Sequence, residues 1–108
     1  MEKIFIIPLH VERVQPSIMR LGASRAYVSC YVCASDYVEA TKKVLRQLGE
    51  DGLSALDILQ PIHKMNASDW GRHVREKWGH HAASLPSQVD FEAAVQANRV
   101  VYGPFGSY

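Results

Sequence analysis

With 108 residues, 47% of them hydrophobic and 21% charged, the chain has the make-up of one globular domain with a single core, which excludes a disordered protein. Twelve Lys and Arg against eleven Asp and Glu leave a net charge of +1, so no global field draws the chain to nucleic acid or an anionic membrane. The first apolar run is broken at Pro8, too short to span a bilayer and unlike a secretory leader, so the expected location is the cytoplasm.

Residues 3–14 read as a first strand. Phe5, Ile7, Leu9 and Val11 share one face, while His10 and Glu12 share the other. Pro8 has no N–H for a ladder, so an edge position or a bulge is expected there. Residues 15–24 are a connection with room for a short helical turn. Residues 25–34, apolar on both faces, read as a central second strand.

The clearest helix covers residues 36–48. Asp36 and Glu39 fit a capping box, with Ser35 as an alternative cap. Val38, Thr41, Leu45 and Leu48 line one stripe with Ala40 and Val44 beside it, and Gly49 is the expected stop. Residues 53–59 form a third strand that Pro61 ends. A second helix starts near Asn66 or Ser68, with Asn66 and Asp69 as its capping box. Its apolar stripe is Trp70, Val74 and Trp78, and Gly79 ends it. A third helix opens at Ser87, turns Phe91, Ala94 and Val95 inward, and closes at Asn98. Residues 99–102 are a fourth strand, followed by an irregular tail.

The order β, β, α, β, α, α, β predicts an α+β domain. A four-stranded antiparallel or mixed sheet with about three helices packed on one face is expected. A ferredoxin-like variant is one such plan, although the hairpin-like first connection departs from a simple split βαβ unit.

Candidate chemistry is thin. Cys30 and Cys33 form a C-x-x-C, but on a strand they point to opposite faces, and no second pair exists to complete a zinc site. They read as buried free thiols. A helical H-x-x-x-H pair is missing, because Lys77 stands four residues after His73. His80 and His81 are adjacent and diverge, His63 follows Pro61, and His10 is remote in sequence, so neither metal nor cofactor is expected. Lys64, Arg72, Arg75 and Lys77 are too few for phosphate-based affinity, and the tryptophans are committed to an apolar stripe. No nucleophile motif or phosphate loop occurs. An enzyme of the small dimeric α+β barrel kind, or a small-molecule binder, would use His10 beside Glu12 in a cleft between sheet and helices. The competing reading is a docking protein, with Arg72, His73, Arg75, Lys77 and His80 on a polar helix face and Phe105 and Tyr108 in an aromatic tail.

One resemblance favours the second. The helix pattern D-W-x(7)-W at Asp69, Trp70 and Trp78, and the ending F-x-x-A-V from Phe91 with V-V-Y-G-P-F-G-S-Y, resemble small bacterial immunity proteins of polymorphic toxin systems. The likeness lies in the C-terminal part of the chain and in its size. It implies a non-enzymatic protein that binds one cognate toxin domain and covers its active site. A homodimer is compatible with either reading.

Overall fold

The computed structural model describes residues 3–14 and 24–107; the expected connecting turn after the first strand and Tyr108 lie outside them. The elements are β1 (Lys3–Arg13), β2 (Arg25–Ala34), α1 (Tyr37–Glu50), β3 (Leu53–Ile58), β4 (His63–Met65), α2 (Trp70–Lys77), α3 (Gln88–Gln96), β5 (Val101–Tyr102) and β6 (Gly106–Ser107). Short 3-10 segments at Ala67–Asp69 and Gly79–Ser84 flank α2. The fold is α+β, as expected, and among the described residues every strand pair is antiparallel.

β1 and β2 form the central pair, from Lys3 opposite Ala34 to Glu12 opposite Arg25. β3 and β4 both pair with β1, and β5 and β6 both pair with β2. The four expected strand positions are therefore filled, but each outer one is a broken ribbon. The connection β2–α1–β3 passes over β1 and is a split βαβ unit. The rest departs from the ferredoxin-like plan, because the β1–β2 hairpin takes both central positions.

Pro8 explains one of the breaks. It sits in a central strand, not at an edge, yet β4 pairing stops at Ile6 and β3 pairing begins at Leu9. The Pro8 carbonyl accepts from Leu59 N–H at 2.8 Å. In a strand the N–H and C=O of one residue point the same way, so the missing N–H also faces that break. The chain turns there through a cis Gln60–Pro61 bond. A bulge follows directly, between His10 and Val11, where Leu56 is the extra residue. β4 and β6 have no apolar pattern of their own; each is recruited by the open edge of a central strand.

The helices divide between the two faces of the sheet instead of sharing one. The physical reason is in the strands. Phe5, Ile7, Leu9 and Val11 of β1 join Val28, Cys30 and Val32 of β2 under Ala40, Val44 and Leu48 of α1. Ile4 and Ile6 join Tyr31 on the other face under Trp70 and Val74 of α2 and Phe91 and Val95 of α3. Central strands that bury alternate residues on both sides need cover on both sides.

α1 starts where expected: the Asp36 carboxylate accepts from Glu39 N–H at 2.8 Å, and Glu39 Oε1 accepts from Ser35 N–H at 3.3 Å. Its buried stripe is Ala40, Val44 and Leu48, while Val38 is 59% and Leu45 45% exposed. Small Ala40 lets the helix approach the sheet, which turns the larger flanking residues out to the rim. The helix also runs past Gly49, and the left-handed turn is made by Gly52 at φ 75°. α3 opens as expected with Ser87 Oγ accepting from Asp90 N–H at 3.1 Å, and closes on Asn98 at φ 61°.

Candidate functional site: the outer face and underside of α2

α2 is held from below by aromatic rings. Trp70 is fully buried and stacks on Phe91 with centroids 4.1 Å apart and planes at 4°. Tyr31, rising from β2, meets the Trp70 ring edge-on at 4.9 Å. Each polar handle is satisfied: Trp70 Nε1–H donates to the Pro86 carbonyl at 2.8 Å and Trp78 Nε1–H donates to Tyr31 Oη at 2.8 Å. The stripe Trp70, Val74, Trp78 is thus the core-facing edge, as the spacing predicts, with Trp78 just past the last helical residue. The expected Asn66–Asp69 capping box does not form; Asn66 Oδ1 instead accepts from Lys3 Nζ at 2.6 Å. α3 reaches across to anchor this end. Gln88 Oε1 accepts from Gly71 N–H and its Nε2 donates to the Ala67 carbonyl, both at 2.8 Å.

The expected docking residues do not all fall together. Arg72, Arg75, Lys77 and His80 are exposed on α2 and the turn after it. Arg72 pairs with Asp69 at 3.2 Å, and Lys77 Nζ lies over the Trp78 ring at 5.3 Å. Phe105 is partly buried against the α1-side cluster, on the other face of the sheet, with its ring 5.6 Å from Tyr102. It shares no surface with the α2 residues.

His73 corrects the sequence reading more sharply. It does not face solvent with Arg72 and Arg75. Its ring is half-buried, with Nε2 2.7 Å from Tyr31 Oη. Burial lowers its pKa, Lys77 adds to that effect, and Glu76 opposes it. The signal was present, because His73 stands three residues after Trp70 and so shares the edge of the apolar stripe. The partner was not legible: Tyr31 is 42 residues away in sequence.

A cleft of about 430 Å³ opens beside His73, walled by Lys3, Asn66, Asp69, Arg72 and Glu76. Its lining is of mixed charge, with Lys3, Lys64 and Arg72 against Asp69 and Glu76, so it is a polar recess and no concentrated anion trap. The Lys64 ammonium lies over the Phe5 ring at 5.7 Å.

His10 occupies a different place. It lies on the α2 side of the sheet, beyond the part that α2 and α3 cover, with its ring stacked on Tyr27 at 4.5 Å. Its cross-strand neighbours are Tyr27 and Asp57. His10 is not among the residues lining the cleft beside His73. Among the described residues no group of three or more His, Cys, Asp or Glu is placed to hold a metal ion. Cys30 and Cys33 are not joined by a disulfide and point to opposite faces, and burial pushes the Cys30 thiol far up. No described helix is long and apolar enough to cross a membrane. Comparison with models of protein families, with curated proteins and with solved structures found no match to this chain.

Proposed function

We propose that this protein is a non-enzymatic inhibitor of the immunity type, which binds a cognate toxin domain and covers its active site with the outer face of α2. The observation that carries the reading is the two-sidedness of α2. Arg72, Arg75, Lys77 and His80 are exposed, while the opposite edge is fixed to the sheet by Trp70, Tyr31 and Trp78. A rigid helix loses little conformational entropy on docking, and arginines on it are the residue type that dominates interface hot spots. Its cations would steer an acidic partner surface into register.

The test is co-expression with the product of the neighbouring gene. The protein should relieve that product's toxicity and elute with it as one complex. Arg72→Glu combined with Arg75→Glu should abolish both effects and leave the circular dichroism spectrum unchanged. A purified protein that ignores that product but turns over a small molecule, with turnover lost in His10→Ala, overturns the proposal.

A further inference from the structure

The hydrogen-bond polarity under α2 is determined by elimination. An indole N–H can only donate, so Tyr31 Oη accepts from Trp78. The Tyr31 hydroxyl therefore has its own proton free to donate, and His73 Nε2, 2.7 Å away, is the acceptor that receives it. A neutral ring that accepts at Nε2 carries its proton on Nδ1. The chain of donors runs Trp78 to Tyr31 to His73 and joins β2 to the middle of α2 and to its C-terminal cap.

We propose that Trp78, Tyr31 and His73 form an acid-released latch: protonating His73 turns Nε2 from acceptor into donor, breaks the bond from Tyr31 and loosens the docking face of α2 from the sheet. With His73 protonated, Tyr31 Oη would meet two donors, and its own proton would need an acceptor. Tyr31 is fully buried, and among the described residues its hydroxyl has no third partner. A buried donor left unpaired is costly, so the strain passes to the packing between α2 and β2. The charged groups around the ring are mixed. Glu76 and Asp69 favour the imidazolium, and Lys77, Arg72 and Lys3 oppose it. Tyr31 below is uncharged, because burial raises its pKa. Buried Phe91, which meets the Tyr31 ring edge-on from α3, carries no charge.

The latch governs the face read above as the docking surface, and its biological meaning rests on that reading; its chemistry is testable in the free chain. Long-range ¹⁵N–¹H correlation spectra of the histidine rings, from pH 8 to pH 5, report tautomer and titration together. At pH 8 His73 should show a protonated Nδ1 and a bare Nε2. Its midpoint should lie below the ordinary value of about 6.5, and the Trp78 indole N–H resonance should shift with the same midpoint. Tyr31→Phe removes the donor and should raise the midpoint by about half a pH unit or more. An Nε2–H tautomer at pH 8, or a midpoint unmoved by Tyr31→Phe, overturns the latch. If Tyr31→Phe does not fold, His73→Gln serves instead. It keeps an acceptor, so its Trp78 indole resonance should not move between pH 7.5 and 5.5; a shift equal to the wild type's also overturns it. Binding to the neighbouring gene's product is a separate readout: its absence removes the immunity reading and leaves the tautomer result standing.

Discussion

Trp70→Ala is the most informative single perturbation of the fold. Trp70 joins α2, α3 and the sheet: it is fully buried, stacks on Phe91 at 4.1 Å and meets Tyr31 edge-on at 4.9 Å. Truncating a buried tryptophan costs about 3–5 kcal/mol. The upper end applies, because the stacked and edge-on rings are lost together and the Pro86 carbonyl loses its donor. Against a total stability of about 5–15 kcal/mol for a domain of this size, that removes a third or more of it. At roughly 4 °C per kcal/mol, the melting temperature falls by about 15–20 °C. Urea unfolding followed by far-ultraviolet circular dichroism measures the change, with Trp70→Phe as the internal control. Phenylalanine keeps a stacked ring and loses the indole N–H, so its cost should be about 1–2 kcal/mol. A loss below about 1 kcal/mol for Trp70→Ala, at unchanged m-value, would refute the placement of this ring at the junction of three elements.

The pH dependence of stability has a definite sign. His73 has a lowered pKa in the folded chain, so the unfolded chain binds its proton first as pH falls. The stability that the neutral ring confers is complete above about pH 6.5 and is lost as pH falls through the folded value; His73→Gln should remove that part of the slope in pH-dependent denaturation. Gln88→Ala deletes both bonds that tie α3 to the start of α2 and should cost about 1–2 kcal/mol by urea unfolding, with faster amide exchange at Gly71. Asn98 holds a left-handed backbone, so Asn98→Gly should change stability by less than about 0.5 kcal/mol, while Asn98→Val should cost about 1–2 kcal/mol. Tyr102 donates to Asp51 Oδ2 at 2.6 Å, and burial together with that carboxylate raises its pKa. In a spectrophotometric alkaline titration Tyr102, like buried Tyr31, should therefore ionise late, and Tyr102→Phe should reduce that late component without removing it.

Much of the local structure could be read from sequence because its causes are local. Asp36 with Glu39, and Ser87 with Asp90, cap their helices within one turn of chain. Trp70, Val74 and Trp78 share an edge by helical period alone. Alternation in β1 and β2 placed Cys30 and Cys33 on opposite faces, and Asn98 announced the end of α3. Local pattern erred where two stripes competed. In α1 the larger Val38 and Leu45 looked like the inner edge, but small Ala40 sets the distance to the sheet.

What only the tertiary structure decided depends on contacts distant in sequence. Two-sided cover of the sheet requires knowing that both outer strand positions are filled by broken ribbons, and β4 and β6 exist only because β1 and β2 leave edges to pair with. The candidate site is divided in the same way. The exposure of Arg72, Arg75 and Lys77 follows from helical period, whereas Phe105 was removed from their surface by the path of the chain after β5. His73 shows the limit most clearly. By spacing it stands at the boundary of polar and apolar faces, and either side was open to it. A hydroxyl on a strand 42 residues earlier drew it inward, because a buried tyrosine that already accepts from Trp78 must still place its own proton.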